Sequence, residues 1–135
     1  MTPEEGVWAM VPFIYDQATP RERIEEDLAI RLRTFPRAES YIAQLQGILA
    51  WGCHDRLSKI RVPTLVIHGV NDKLVPPENS RIIAQAIPQA RLLMLEQSSH
   101  IFPTDQPEIS FDAISSFLEE MSSSNLNSKT SSPER

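Results

Sequence analysis

The stretch HGVNDKLVPP, residues 68–77, comes directly after the apolar run Val62–Ile67 and decides the fold class. A run that is apolar at successive positions is typical of a strand covered on both faces in a parallel sheet. The two prolines that end the stretch favour a helix over about residues 78–86, and RLLML, residues 91–95, has the pattern of a second buried strand. The sequence therefore predicts a strand, a helix and a strand in succession, which is a parallel crossover unit of an α/β protein.

Helical patterns flank this unit on both sides. Thr19, followed by a proline and by Glu22, has the spacing of a capping box and predicts a helix from about Pro20 to Arg33. A second helical pattern ends before Gly52, and a last one begins at Pro107. The apolar residues expected to face inward are Tyr41, Ile42, Leu45, Ile48, Leu49, Ile82, Ile83, Ala86, Ile87, Phe111, Ile114, Phe117, Leu118 and Met121.

The chain divides into three parts by composition. Residues 1–58 are a helical region whose first 18 positions show no clear period, residues 59–121 hold the α/β segment, and residues 122–135 are rich in serine. The serine-rich end has too little apolar surface to offset the entropy of ordering, so it is predicted to be a disordered tail. Two strands buried on both faces leave unpaired backbone groups at their outer edges, so another chain, a second copy or upstream sequence must complete the sheet.

The bulk composition limits the classes of function. With 41% hydrophobic and 23% charged residues, the 135-residue chain has the composition of an ordinary globular domain. Its net charge of −5 argues against a nucleic-acid partner, which would need clustered Lys and Arg. The acidic first ten residues do not resemble a signal peptide, and no apolar run reaches the ~20 residues of a membrane span, so we expect a cytoplasmic protein with no membrane partner. The single cysteine, Cys53, cannot form an intramolecular disulfide.

Two polar residues follow the predicted strands. Asp72 lies just beyond the first strand, and His100 lies just beyond the second. Loops from the carboxyl ends of neighbouring parallel strands converge at one edge of a sheet, so the two side chains can meet in a hydrogen bond. The carboxylate would then fix the imidazole tautomer and leave the other ring nitrogen free to accept a proton from a nucleophile. The alternative is an aspartate that caps a turn and a loop histidine that contacts solvent.

Three segments between Ile60 and Leu118 resemble the C-terminal part of the α/β-hydrolase fold superfamily, near its esterase, lactonase and carbon-carbon-bond hydrolase members: VPTLVIHGVNDKLVPPENS, AIPQARLLMLEQSSH and QPEISFDAISSFL. In that family the pattern P-T-L-x-I-x-G-x-x-D-x-x-V-P ends the penultimate strand, and its acid corresponds to Asp72. The family histidine follows the last strand and precedes a proline-initiated helix, which corresponds to His100. The resemblance implies a partial α/β-hydrolase fold, with Asp72 as triad acid, His100 as general base and a small acyl compound as substrate.

The resemblance also suggests a role for residues 1–58. Their helices look like a remnant of the cap that many family members insert before this strand and that covers the substrate pocket. Trp8, Phe13, Tyr41 and Trp51 are therefore candidates to line an acyl site. For each of them, ordinary packing inside the fold is the alternative.

Two departures from the family pattern limit what the resemblance implies. The four glycines of the chain, Gly6, Gly47, Gly52 and Gly69, include no pair four positions apart, so the G-x-S-x-G elbow that exposes the family nucleophile is missing from these 135 residues. The oxyanion loop of the family is missing from them too. Ser99 stands where the family usually has a glycine before the histidine, and a serine there costs about 1 kcal/mol if the backbone needs a positive φ.

Other candidates for chemistry are weaker. Ser98 and Ser99 come just before His100, but neighbouring side chains in an extended loop point apart, so neither is expected to replace the nucleophile. The consecutive Cys, His and Asp at residues 53–55 cannot converge on one metal ion without a contorted turn, and a solvated hinge is the preferred interpretation. His68 is assigned no chemistry. No cofactor and no metal are expected.

Three functions remain open from the sequence. The first is the C-terminal portion of a serine-type hydrolase of ester, lactone or related acyl bonds, inactive alone and completed by an N-terminal half. The second is a non-catalytic interaction protein that pairs with itself or with a larger hydrolase through its open sheet edge. The third is a fragment of an aspartate-nucleophile hydrolase, such as a dehalogenase or an epoxide hydrolase.

Overall fold

The computed structural model describes residues 2–34 and 36–130, with side chains as far as Ser124. The elements of this part of the chain are α1 (Pro3–Ile14), α2 (Arg21–Arg33), α3 (Ala38–Ala50), α4 (His54–Leu57), β1 (Leu65–Gly69), α5 (Pro77–Ala86), β2 (Arg91–Leu95), α6 (Phe102–Asp105) and α7 (Pro107–Thr130). A helical region thus precedes β1, α5 and β2, and two helices follow. The crossover unit predicted from the sequence is confirmed.

β1 and β2 pair in parallel along their whole length, from Leu65 opposite Arg91 to Gly69 opposite Leu95. β2 has the predicted bounds. β1 begins later than the predicted range, 62–67, because Pro63 cannot donate to a strand ladder, and it ends later, at Gly69. The extension of β1 to Gly69 sets the point from which the loop toward Asp72 begins.

Two segments carry the same T-P-x-E spacing, and only one of them forms a capping box. At α1 the Thr2 hydroxyl accepts the Glu5 N–H at 3.2 Å, and the Glu5 carboxylate accepts the Thr2 N–H at 2.7 Å. At α2 the N-cap residue is Pro20, without a side-chain cap, and the Thr19 hydroxyl instead donates to Asp105 at 2.6 Å. The capping box predicted for α2 is therefore wrong, and α1 is a helix that the sequence reasoning missed.

The core of the helical region joins α1 and α2 to the loop after β2. Its buried residues are Ile14, Tyr15, Ile24 and Leu28, and partly buried Val7, Trp8, Val11 and Ile101 pack against them. The backbone N–H of Ile101 also donates to the carbonyl of Ile14 at 2.9 Å. Because Ile101 directly follows His100, this core attaches the helical region to the edge of the sheet that carries the predicted site.

The apolar faces of α3 and α7 are exposed rather than buried. Ile48 and Leu49 on α3 are 71% and 79% exposed, and Phe111 on α7 is 71% exposed. Other residues predicted to face inward that are exposed are Tyr41, Ile42, Leu45, Ile82, Ile114 and Leu118. The predicted orientation is wrong for these residues because the sheet of the described chain has two strands, and these faces lack a partner within residues 2–34 and 36–124.

α7 continues to Thr130, so residues 122–130 are helical where the sequence predicts a disordered tail. The hydroxyls of Ser122, Ser123 and Ser124 each donate to the carbonyl four residues earlier, at 2.9 to 3.0 Å. These bonds satisfy the serine hydroxyls inside the helix, and neither glycine nor proline interrupts the sequence there. The rest of the predicted tail, residues 131–135, lies outside the described residues.

Candidate active site

Backbone hydrogen bonds hold together the loops that leave β1 and β2. The Val70 N–H donates to the Leu95 carbonyl at 2.9 Å, and the Asn71 N–H donates to the Ser98 carbonyl at 2.8 Å. The two loops therefore continue the pairing of the strands for a short distance beyond the sheet. This pairing carries the predicted acid and base toward each other at the carboxyl edge of the sheet.

Gly69 makes the close approach of the two loops possible. A Cβ at this position would lie 2.2 Å from the carbonyl oxygen of Ser99 and 2.5 Å from that of Ser98. The glycine is thus required by space and not by its backbone angles. Ser99 is not among the residues with positive φ, and in this loop the positive φ, 51°, belongs to Gln97. The family glycine that Ser99 replaces is therefore not needed for its backbone freedom.

Asp72 and His100 meet between these loops. Nδ1 of His100 lies 3.0 Å from Oδ2 of Asp72, and the side chains are 34% and 3% exposed, respectively. Oδ1 of Asp72 accepts the N–H groups of Leu74 at 2.8 Å and Val75 at 2.9 Å, which fixes the carboxylate. Since Nδ1 faces a carboxylate, it is the donor, and Nε2 of the neutral ring is left as an acceptor. The structure brings the two predicted site residues together, and their catalytic role stays a prediction.

Burial and hydrogen bonding act in opposite directions on Asp72. Burial raises the pKa of this carboxyl, whereas the N–H of Val75, the His100 imidazole and the N–H of Leu74 lower it. The hydrogen bonds together outweigh burial, so the pKa of Asp72 lies below its ordinary value and the group is ionised near neutral pH. An ionised Asp72 is the form that stabilises a protonated His100.

His68 also contacts the carboxylate of Asp72. Its Nε2 lies 3.2 Å from Oδ2 of Asp72 and 3.1 Å from the Val75 carbonyl, and its Nδ1 lies 2.7 Å from the Ser80 hydroxyl. Two oxygen acceptors face Nε2, so this nitrogen carries the proton, and Nδ1 accepts from Ser80. His68, which was assigned no chemistry from the sequence, thus lies against the same carboxylate oxygen as His100.

Two buried aspartates, which the sequence analysis missed, bind the residues just before the acid and the base. Asp16 accepts the side-chain amide of Asn71 at 2.7 Å, and Asp105 accepts the N–H of Ser99 at 2.6 Å. Asp16 and Asp105 are 8% and 5% exposed. Asn71 lies 55 positions from Asp16, and Asp105 also accepts from Asp16 and Thr19, 89 and 86 positions away, so no local period reveals these contacts. The one available signal is that Asp105 falls in the short connection between the last strand and the last helix.

A largely apolar cavity of about 550 Å³ adjoins His100 and lies against the helical region. Residues that line it include Met10, Ile14, Leu28, Tyr41, Leu74 and Ile101. A smaller cavity of about 180 Å³ is bordered by both Asp72 and His100. Of the four aromatic residues predicted to line an acyl pocket, Tyr41 borders the larger cavity. The other three do not line it, and Trp51 is 69% exposed.

The remaining sequence candidates are not assembled into a site. The Ser99 hydroxyl contacts the backbone carbonyls of Asn71 and Phe13, and the fully buried Ser98 hydroxyl has no hydrogen-bond partner in the described chain. Within the described ranges, no group of three or more His, Cys, Asp and Glu side chains could hold a metal ion, and this includes residues 53–55. None of the helices that the structure describes is long and apolar enough to cross a membrane.

A comparison with protein families gives the family of the chain. The family model of the alpha/beta hydrolase fold matches residues 22–107. The chain belongs to this family. It is 31% identical over 122 residues to RutD of Azorhizobium caulinodans, a protein assigned as a carbamate hydrolase, with 88% of this chain and 46% of RutD covered. RutD of Pseudomonas syringae is 32% identical over 119 residues, and 46% of it is covered. The chain thus spans about half the length of the curated relatives it matches.

Solved structures of α/β hydrolases have the same arrangement of elements. An esterase from Thermogutta terrifontis superposes with a TM-score of 0.72 and 27% identity, over 88% of this chain and 44% of the esterase. The enol-lactonase from Burkholderia xenovorans superposes with a TM-score of 0.68 and 28% identity, over 85% of this chain and 44% of the lactonase. The prediction of a partial α/β-hydrolase fold with esterase and lactonase relatives is confirmed.

Proposed function

We propose that this chain supplies the orienting acid, Asp72, and the general base, His100, of a serine-type hydrolase whose nucleophile lies outside these 135 residues. The observation that carries the proposal is the 3.0 Å contact between Nδ1 of His100 and Oδ2 of Asp72, which leaves Nε2 of His100 as the free acceptor. The 34% exposure of the imidazole supports access by a second group. The substrate class is an ester, a lactone or a related acyl compound.

The chemistry follows from the proton positions. As the hydroxyl oxygen of the nucleophile attacks the acyl carbon, Nε2 of His100 takes the hydroxyl proton and then gives it to the leaving group. Asp72 stays ionised and stabilises the imidazolium in between. Water then attacks the acyl-enzyme, with His100 again as the base. The names of the relatives, which include a carbamate hydrolase, an esterase and a lactonase, support a carbonyl substrate with an oxygen or nitrogen leaving group.

The place of the nucleophile is also part of the proposal. The smaller cavity is bordered by the acid, by the base and by Ile67 near the end of β1. The larger cavity is bordered by the base and by the helical region. We assign the smaller cavity to the nucleophile and the larger one to the substrate, because His100 borders both and must contact the nucleophile and then the leaving group.

The first experiment tests the chain alone. We expect no turnover of p-nitrophenyl acetate above that of free imidazole, because a base and its orienting acid have no hydroxyl to activate. Robust turnover by the wild-type chain that disappears in His100→Ala would contradict this expectation.

The second experiment supplies the missing half. The part of the Thermogutta terrifontis esterase that precedes its match to this chain, which under the proposal supplies the nucleophile, is fused ahead of this chain, and hydrolysis of p-nitrophenyl butyrate is measured. Asp72→Asn should lower kcat by about 10⁴-fold, because the imidazole loses the partner that fixes its tautomer. His54→Ala, which changes an exposed histidine, is the matched control and should leave kcat unchanged. A fusion that unfolds cooperatively, reacts with a fluorophosphonate and turns over equally well with His100→Ala would refute the assignment of the base.

A second candidate function is that of an interaction protein without activity. The exposed apolar faces of α3 and α7 favour it, because soluble proteins rarely leave such patches uncovered. Its covering partner would be a second copy of this chain or a complementing hydrolase half. Sedimentation velocity of the pure chain tests the first case: a clean monomer excludes self-association, whereas a stable dimer supports it.

A further inference from the structure

Asp105 is the last residue of α6 and lies five positions after His100. Its side chain is 5% exposed, which is rare for an aspartate that does not bind a metal or a cation. A buried carboxylate is stable when hydrogen-bond donors satisfy both of its oxygens. The donors around Asp105 therefore show what this side chain holds together.

The two oxygens of Asp105 accept from two different parts of the chain. Oδ2 accepts the N–H of Ser99 at 2.6 Å, directly before His100. Oδ1 accepts the hydroxyl of Thr19 at 2.6 Å and the N–H of Asp16 at 3.1 Å, both in the connection between α1 and α2. Short hydrogen bonds to an ionised oxygen are about twice as strong as those between neutral groups. One carboxylate thus bridges the helical region and the loop of the base.

A cation supports the same bridge from outside. The guanidinium of Arg23 on α2 donates to the backbone carbonyls of Thr104 and Asp105, at 3.2 and 3.1 Å. α6 is therefore fastened to α2 at its backbone, through Arg23, and to the connection before α2 at its last side chain, through Thr19. The position of Ser99 depends on where the connection between α1 and α2 lies.

We propose that Asp105 is a positioning residue: it couples the docking of the helical region to the orientation of the His100 imidazole toward Asp72. The consequence for catalysis rests on the proposed function, whereas the coupling itself is a property of the isolated chain. A merely structural Asp105 would contribute to stability and leave the His100 imidazole insensitive to changes on the side of α1 and α2.

The test reads the imidazole directly by NMR of the full chain. The chain contains three histidines, so the ring resonances can be assigned by substitution. The readouts are the Nδ1–H proton of His100, hydrogen-bonded to Asp72, and hydrogen exchange at the Ser99 amide. Asp105→Asn presents an NH₂ group or a weaker neutral acceptor to these donors. We expect the Ser99 amide to exchange about 10- to 100-fold faster and the His100 Nδ1–H signal to shift or broaden.

The decisive variant is Thr19→Val, which removes one donor to Asp105 on the far side of the bridge. The backbone bond from Ile101 to Ile14 remains in this variant, so the helical region stays attached. Thr34→Val is the matched control, since the hydroxyl of Thr34 contacts backbone carbonyls at the end of its own helix. We expect Thr19→Val to move the His100 Nδ1–H and Ser99 amide resonances and Thr34→Val to leave both in place.

Two results would overturn the proposal. In one, Asp105→Asn folds and leaves the His100 and Ser99 resonances unchanged. In the other, Thr19→Val alters the resonances of its own segment and none at Ser99 or His100, which would show that Asp105 transmits no effect from Thr19 to these residues. Neither readout needs turnover. The coupling through Asp105 can therefore fail while the proposed function stands, and the proposed function can fail while the coupling stands.

Discussion

Gly69→Ala tests whether the close approach of the two loops sets the geometry of the acid and the base. The added methyl would lie 2.2 Å from the carbonyl oxygen of Ser99 and 2.5 Å from that of Ser98, both backbone atoms. Ordinary contact begins near 3.4 Å, so a backbone carbonyl has to move by about 1 Å. A flexible side chain could turn away, but a backbone carbonyl displaces its neighbours in the chain.

The expected magnitude has two parts. Overpacking of this kind costs about 1–3 kcal/mol, so the free energy of unfolding should fall by that amount. The displaced backbone leads directly into His100, whose Nδ1 lies 3.0 Å from Asp72. A shift of about 1 Å takes this pair beyond hydrogen-bond distance. The His100 Nδ1–H signal should therefore disappear through exchange with water.

The assays are urea unfolding followed by circular dichroism and imidazole NMR. Gly47→Ala is the matched control, because nothing lies within 4 Å of a Cβ at this position inside α3. Alanine is the better helix former, so Gly47→Ala should raise the free energy of unfolding by about 0.5–1 kcal/mol. A Gly69→Ala chain as stable as the wild type, with an unchanged His100 signal, would refute the steric argument.

Three further predictions concern titration and capping. The lowered pKa of Asp72 contributes stability that is present above about pH 3.9, the pKa of an unfolded aspartate, and is lost as the pH falls through the folded pKa. In urea unfolding from pH 7 to 2, the free energy of unfolding should therefore fall less at low pH for Asp72→Asn than for the exposed control Asp112→Asn. Burial, with the hydrogen bond to Asp27, raises the pKa of Tyr15 to about 12. The excess in free energy of unfolding of wild type over Tyr15→Phe should therefore be constant below pH 10 and should decline from pH 10 to 12. An excess that grows over this range would contradict this. Thr2→Ala should cost about 1 kcal/mol through loss of the capping box, measured by thermal unfolding, whereas an undiminished melting temperature would show that α1 does not depend on its cap.

Local chemistry explains what the sequence could predict. The strands and the helix between them were predictable because short apolar runs and a pair of prolines are local signals, which act through neighbouring residues. The meeting of Asp72 and His100 was predictable because topology alone brings the ends of adjacent parallel strands to one edge. The orientation of the helices was harder to predict. A helical period shows that α3 and α7 have apolar faces, but it does not show which element covers these faces.

Contacts at long range explain most of what the sequence missed. Thr19 and Thr2 stand in the same local pattern, and they differ because Thr19 has a carboxylate acceptor 86 positions away. Asp105 was missed for the same reason, since its role depends on donors from two separate segments, one of which lies more than 80 positions away. His68 was given no role because a histidine at a strand end has no pattern that reveals its neighbours.

The parallel register of β1 and β2 has a consequence for how such a site can be inherited. The acid and the base are 28 positions apart and are joined by a single crossover connection. The pairing of the two loops that carry them is therefore encoded in one short, contiguous piece of a gene. Recombination can move that piece as a cassette and keep the two loops paired, but a new helical region, which supplies most walls of the larger cavity, also has to supply donors to Asp105.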